Sequence, residues 1–276
     1  MILNKKNEGV IRQKLMQSGI SSSHVDTAMK QLKIGIDNVQ LPKIAIIGFT
    51  GVGKSSTLNA LFNAGQPTSD IRACTQDEAP IIGDVSKYTG SKGSVIIYDM
   101  PGLGEDMASD ERHFETYLRV LPLVDVAIWT FHTGDRAMTP MQNALIRLNE
   151  TMGTTFQSKL MFSINKADAI APGESAWNQN TNTPSFEQNR NIRDLELYIR
   201  NKVYQVLPMW RGEIVTYSAK TRYRLDVLMT AMIKTMPRDR RWLLDSVADV
   251  ADPRDLMDPQ IKAYVEVQRS RETWKK

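Results

Sequence analysis

The stretch KIAIIGFTGVGKSSTLNALFN, residues 43–63, sets an aliphatic run, a loop with three glycines and a helix-forming segment in direct succession. An aliphatic strand that turns at once into a helix is buried on both faces only if other strands lie beside it and helices cover them. The rest of the chain supplies those partners. VIIYD at 95–99, VDVAIWTF at 124–131, KLMFSIN at 159–165 and EIVTYS at 213–218 read as further buried strands. Between them SSTLNALFN, DERHFETYLRV, PMQNALIRLNE, NIRDLELYIRNKVYQVL and RLDVLMTAMIKTM carry helical periodicity. This alternation predicts an α/β, doubly wound, mostly parallel sheet with helices on both faces. IIGDVSKY and KGSVIIYD flank TGSKG and predict a hairpin, which makes one edge strand antiparallel. The expected domain spans 41–236, between a helical N-terminal arm at 1–40 and a helical C-terminal tail at 237–276. The polar segment 171–190, rich in Asn, Ser, Thr and Pro, is expected to be an exposed insertion or a mobile loop.

Gly48, Gly53, Lys54 and Ser55 fit G-x-x-x-x-G-K-[ST] in the context that pattern requires, after a strand and opening a helix. Successive backbone N–H groups can turn inward around a polyphosphate only where side chains do not obstruct the approach. The backbone of Gly51, Val52, Gly53, Lys54, Ser55 and Ser56 is therefore the expected phosphate cradle. Lys54 supplies a point charge between the outer phosphates, Ser55 a hydroxyl for Mg²⁺, and the helix N-terminus its positive dipole end. The plain alternative is a glycine-rich connection that binds nothing.

The base is chosen elsewhere. NKAD, Asn165 to Asp168, follows the strand KLMFSI at the edge where ligands sit in open α/β sheets. A carboxylate there accepts two hydrogen bonds from the N1–H and exocyclic amine of guanine. Adenine offers only an acceptor on that edge and leaves Asp168 unpaired.

GFTGVGKS, Thr75 within ACTQD, DMPG from Asp99 to Gly102, NKAD, and SAK from Ser218 to Lys220 occur in that order. With these motifs the chain resembles the small GTPase superfamily, a P-loop NTPase class with a Ras-like G domain on a six-stranded sheet. Within it the chain looks like the Era-like branch that includes TrmE, EngA and septin relatives, and closest to GTPases of bacterial prophages and gene islands. The resemblance implies that Thr75 is the switch I threonine reaching Mg²⁺ and sensing the γ-phosphate. It implies that Asp99 holds Mg²⁺ through water and that the Gly102 N–H meets the γ-phosphate at the hinge of switch II. It also implies that the Ala219 N–H meets the guanine O6, with Lys166 along the base plane and Ser218 and Lys220 completing the loop. The implied activity is Mg²⁺-dependent hydrolysis of GTP to GDP and phosphate by a bacterial molecular switch or assembly factor. The alternative from another class is a guanine-nucleotide-dependent scaffold or dimerising sensor with negligible hydrolysis.

The pattern departs from Ras-like enzymes after the switch II glycine, where Leu103 replaces the glutamine that orients water. Glu105 stands where TrmE-type enzymes carry a water-polarising glutamate, so Lys54, Thr75 and Glu105 are the candidate catalytic set. The competing reading of Glu105 is a solvated acid on a mobile loop. Gly51 occupies the position of the TrmE-type potassium-binding asparagine and offers no side-chain ligand. Arg72 has the spacing of a built-in arginine finger, against the plainer reading of an exposed base. Arg136 reads as a solvated loop residue, Cys74 as a small buried thiol, and His24, His113 and His132 as surface or packing-edge residues without metal-ligand spacing. Trp129 and Trp177 lack aromatic neighbours at a spacing that suggests base stacking.

Among 276 residues, 41% hydrophobic content supports a substantial core, and a single cysteine excludes an internal disulfide. No signal-like leader and no apolar run of about 18 residues is evident, so a cytoplasmic location is expected. The net charge of +4 is spread thinly, and 238–276 carries nine basic against eight acidic residues. Neither nucleic acid nor membrane is supported as a partner. The partners expected are GTP and GDP, a protein effector, and a second copy of the chain in a nucleotide-dependent homodimer.

Overall fold

The computed structural model describes residues 41–62, 80–84, 94–134, 138–237 and 240, with positions 12, 13, 16, 25 and 26. The chain divides into two compact units, Met1–Leu41 and Pro42–Lys276, and every site element belongs to the second. The expected helical arm falls almost wholly outside the described residues, as does the tail beyond Arg240.

In the second unit the elements run β1 (Lys43–Gly48), α1 (Lys54–Phe62), β2 (Ile81–Asp84), β3 (Ser94–Asp99), α2 (Met107–Val120), β4 (Val126–His132) and α3 (Met138–Met152). There follow α4 (Thr154–Lys159), β5 (Leu160–Asn165), α5 (Phe186–Val206), β6 (Ile214–Thr216) and α6 (Leu225–Thr235). Each strand and helix predicted between 41 and 236 is present, and the short α4 is additional. The six strands form one sheet in the order β2-β3-β1-β4-β5-β6. All pairings are parallel except β2 with β3, which is antiparallel as the hairpin pattern predicts.

The period-2 alternation of β1 divides the core. Ile44 and Ile46 pack with Leu58 of α1 and Leu228 of α6, whereas Ala45 and Ile47 pack with Phe114 of α2, Met141 of α3 and Ile199 of α5. Central strands buried on both faces are mostly apolar, and β5 is buried at every position, its polar members satisfied by hydrogen bonds, Ser163 with Thr130 at 3.1 Å and Asn165 with Val52 O at 3.1 Å. The helix starts are set locally. Asp106 caps α2 by accepting from the N–H groups of Ala108 and Ser109, both at 2.9 Å. Ser185 and Gln188 close a capping box on α5. Parallel alignment brings the carboxyl ends of β1, β3, β4 and β5 to one edge of the sheet, where the sequence motifs meet.

Candidate functional site

β1 delivers the glycine loop and α1 receives it. Gly53 has φ +91°, and a Cβ there would lie 2.4 Å from Asn165 Nδ2, so both the backbone conformation and the space demand glycine. Lys54, 8% exposed, donates from Nζ to the carbonyls of Gly48 at 3.3 Å and Phe49 at 3.0 Å. Burial pushes its amine down to about 8, partly offset by the negative charges of Asp99 and Glu105. Ser55 Oγ donates to Asp99 Oδ2 at 2.7 Å, joining α1 to the end of β3. Among the described residues no group of three or more His, Cys, Asp or Glu is placed to hold a metal. The Ser55 hydroxyl and Asp99 carboxylate are instead the hard oxygen donors that suit Mg²⁺ completed by phosphate oxygens, so these residues fit that ion. Behind the loop the Thr57 hydroxyl donates to Gly53 O at 2.8 Å and meets the Tyr217 phenol at 2.5 Å, tying α1 to the end of β6.

The segment after β3 lies directly on the glycine loop. Leu103 N–H donates to Gly48 O at 3.2 Å and Thr50 N–H to Leu103 O at 2.9 Å. Gly102 approaches so closely that a Cβ would sit 2.3 Å from Thr50 Oγ1. Leu103 is 5% exposed and belongs to the core, so it has no polar group to offer a water. Glu105 is exposed, and its Oε1 accepts from Thr50 Oγ1 at 3.1 Å, which holds the carboxylate beside the glycine loop.

At the base end Asn165 connects three loops. Its Nδ2 donates to Val52 O at 3.1 Å, and its Oδ1 accepts from the N–H groups of Lys166 at 2.7 Å and Ala219 at 3.0 Å. The Ala219 N–H that the motif assigns to guanine O6 is thus engaged with Asn165. Lys166 takes a left-handed conformation, φ 64°, and its Nζ reaches Gly51 O at 3.4 Å. Asp168 is 4% exposed, and its Oδ1 is buried without a hydrogen-bond partner among the described residues. Such an acceptor suits the donor edge of guanine. Ser218 turns inward: its Oγ accepts from Thr221 N–H at 3.1 Å. Lys220 pairs with Glu174 at 2.7 Å, and that hydrogen bond raises its amine above the ordinary value.

The segment 171–190, expected to be an exposed insertion or a mobile loop, is largely exposed, as the first alternative has it, but it is anchored at three buried positions, Trp177, Asn182 and Gln188. Trp177 is 6% exposed, donates to Asn182 Oδ1 at 3.1 Å and meets Tyr223 edge-on at 5.0 Å. Gln188, fully buried, donates from Nε2 toward the carbonyls of Asp168, Ile170 and Gly173 at 3.3, 3.2 and 3.0 Å. A side-chain amide here replaces the missing apolar period as the organising element. The segment forms one wall of a cavity of about 250 Å³ lined by Asp168, Glu174, Trp177, Asn182, Lys220 and Thr221 among others.

Thr75, Arg72, Cys74, His24 and Arg136 lie outside the described residues. The structure brings Gly51 to Ser56, Asp99, Gly102, Glu105, Asn165 to Asp168 and Ser218 to Lys220 to one edge of the sheet. Sequence reading missed Thr50, Gln188 and a polar face of α2. The signal for that face was Asp110, His113 and Tyr117 at i, i+3 and i+7 immediately after DMPGLGE.

Residues 43–166 match the 50S ribosome-binding GTPase family. The chain is 30% identical over 200 residues to the uncharacterized protein YfjP of Escherichia coli strain K12, covering 72% of this chain and 63% of that one. YkfA, likewise an uncharacterized protein of that strain, is 30% identical over 203 residues with the same coverage. The chain therefore spans less than two thirds of the length of these relatives. The crystal structure of Aquifex aeolicus Era bound to GDP.AlF4- has a similar fold, with a TM-score of 0.52 at 21% identity. That likeness covers 72% of this chain and 58% of that one. Among the described residues no helix is long and apolar enough to cross a membrane.

Proposed function

Since this chain is an Era-like small GTPase with the P-loop α/β fold, we propose that it binds GTP with Mg²⁺ and hydrolyses it to GDP and phosphate as a cytoplasmic switch or assembly factor. The G domain is assigned to 41–236, with 1–40 and 237–276 as flanks. The observation that carries the reading is the pairing of a buried Lys54 against loop carbonyls with a buried Asp168 oxygen that has no hydrogen-bond partner among the described residues, at the other end of the same edge. Lys54 is placed to leave Gly48 O and Phe49 O for phosphate oxygens, which are charged acceptors and so stronger ones. Ser55 and Asp99 would hold Mg²⁺, whose chemistry is to neutralise charge on the outer phosphates. Thr75 is assigned to the same ion, and Gly102 to the γ-phosphate. Asp168 selects guanine, Asn165 keeps the base loops registered with the glycine loop, and Lys166, Ser218, Ala219 and Lys220 frame the base.

Glu105 is assigned to orienting the attacking water, in the role Leu103 cannot fill. Its hydrogen bond from Thr50 holds it at the glycine loop, and its charge is felt by Lys54. Phosphate release by the full chain with GTP and Mg²⁺ tests the activity. Glu105→Ala is expected to lower turnover about tenfold while GDP affinity stays unchanged; equal turnover returns Glu105 to the role of a solvated acid. The second reading, a GTP-dependent scaffold or dimerising sensor, is favoured by the burial of Leu103 in the core. Nucleotide binding without phosphate release, with dimerisation only in a GTP analogue, is the outcome that selects it. A pull-down comparing GTP-analogue and GDP states identifies the effector.

A further inference from the structure

Helix α2 does more than cover the sheet. Three side chains on one of its faces hold the backbone of 101–105 by direct hydrogen bonds. Tyr117, fully buried, donates its phenol to Pro101 O at 2.8 Å and accepts from Gly48 N–H at 3.3 Å. Burial pushes that phenol well above its ordinary titration range, so it stays a donor at every physiological pH. His113 contacts Gly102 O at 2.7 Å through Nδ1. Because a carbonyl only accepts, Nδ1 carries the proton. Asp110 Oδ1 accepts from Gly104 N–H at 2.7 Å and Glu105 N–H at 3.4 Å.

The peptide geometry gives this arrangement its consequence. Pro101 C=O and Gly102 N–H belong to one trans peptide plane and point in opposite directions. A donor fixed on Pro101 O therefore fixes the direction of the Gly102 N–H, and a hydrogen bond on the carbonyl also strengthens the N–H as a donor. The next peptide is held at both ends, by His113 on Gly102 O and by Gly48 O on Leu103 N–H at 3.2 Å. We propose that Asp110, His113 and Tyr117 form a polar clasp that aims the Gly102 N–H and so sets the preference of the site for a nucleoside triphosphate over a diphosphate. The clasp rests on the GTPase reading, because only a γ-phosphate gives the Gly102 N–H a partner that GDP lacks. These are positioning residues and touch no nucleotide. Through them a pull on Gly102 is delivered to α2 as a unit, since the clasp grips four of the segment's five residues, Pro101 and Gly102 before Leu103 and Gly104 and Glu105 after it.

Calorimetric titration of the full chain with Mg·GDP and with the imido analogue of GTP tests the clasp. In Tyr117→Phe the ratio of analogue to GDP affinity is expected to fall about tenfold, with GDP affinity changed less than about threefold, the loss expected for one aligned donor. His113→Ala is expected to lower the ratio about threefold. His113→Asn, which returns an N–H donor near the position of Nδ1, is expected to restore it. A ratio that stays constant in both Tyr117→Phe and His113→Ala overturns the proposal. So does a parallel loss for both nucleotides, which is the mark of a merely structural role. If Tyr117→Phe fails to fold by circular dichroism, the half-buried His113 pair of variants decides alone. A wild-type chain that binds both nucleotides equally leaves the clasp nothing to set and overturns it while the GTPase reading stands. A wild-type chain that binds neither removes that reading and the clasp together.

Discussion

The two ends of the site are held to different effect. At the base end side chains do the holding: Asn165 joins three loops, Gln188 gathers three carbonyls, and Trp177 is locked between Asn182 and Tyr223. At the phosphate end side chains also hold backbone, Lys54 on the carbonyls of Gly48 and Phe49 and the polar face of α2 on the peptides of 101–105, but there the holding groups face a place where phosphate oxygens can enter. Lys54 can exchange its two carbonyls for phosphate oxygens without breaking any element, whereas the buried amide of Gln188 is committed to carbonyls of its own chain. The physical lesson is a division of labour. A base is the same in GTP and GDP, so its pocket gains from rigidity; the γ-phosphate comes and goes, so the groups that meet it need a second set of partners.

If that division holds, damage at the base end weakens GDP and GTP alike. Asp168→Asn is expected to have the largest effect, lowering affinity for both guanine nucleotides about a thousandfold, because the amide presents an N–H against the N–H edge of the base. Xanthine nucleotides, which carry an acceptor in place of the exocyclic amine, are expected to gain in the same variant. Competition binding with guanine and xanthine nucleotides checks both statements. Loss of GTP alone would contradict a state-independent base end. Lys54→Ala is expected to come next, at about a hundredfold for both nucleotides and more for the triphosphate, since a charge-assisted contact to two phosphates disappears. Equal losses for GDP and a GTP analogue would move Lys54 away from the γ-phosphate.

The contrast between the ends also explains what could be read from the sequence. The glycine loop, NKAD and SAK could be picked out because the close backbone approach seen at Gly53 and the guanine contacts proposed above restrict residue type at fixed spacing, and the strands because double burial leaves few polar positions. The exposure of segment 171–190 was legible in its polar composition, but its anchoring was not, because that order comes from one buried amide and one indole, Gln188 and Trp177, and not from a periodic apolar face. Gln188 did leave a trace, in the Ser185-x-x-Gln188 capping box, but its second role, reaching back to Asp168 O, is a long-range contact that local pattern does not encode. His113 and Tyr117 were hidden for a related reason: an amphipathic helix shows which residues face inward, not which of them meet a carbonyl.

Gln188→Ala tests that account. It takes the amide donor from Asp168 O, while Ile170 O and Gly173 O keep the N–H groups of Gly173 and Ala176 at 2.9 and 3.0 Å, and it is expected to lower unfolding stability by about 2 kcal/mol, within the range for an unsatisfied buried group. Guanine affinity is expected to fall about fivefold in the same variant as the Asp168 backbone loosens, with the GTP to GDP ratio unchanged. Chemical denaturation and nucleotide titration read the two effects separately. A changed ratio would show the base end to be coupled to the γ-phosphate after all.

The smallest effect is a proton. Lys54 is held at about 8 by burial against an ordinary 10.5, so at about pH 9 the amine of the nucleotide-free protein is largely neutral. Phosphate oxygens favour the charged form, and nucleotide binding at that pH is therefore expected to take up a fraction of a proton. At about pH 6.5 the amine is already charged and its uptake vanishes. The same shift acts on folding with a definite sign. Between about 8 and 10.5 the unfolded chain binds more protons at this lysine than the folded one, so its contribution makes stability rise with pH in that window. Binding enthalpies measured in two buffers of different ionisation enthalpy report the uptake directly. A buffer-independent enthalpy at about pH 9 would mean that Lys54 keeps its carbonyl partners when nucleotide is bound, and the phosphate end would then be as fixed as the base end.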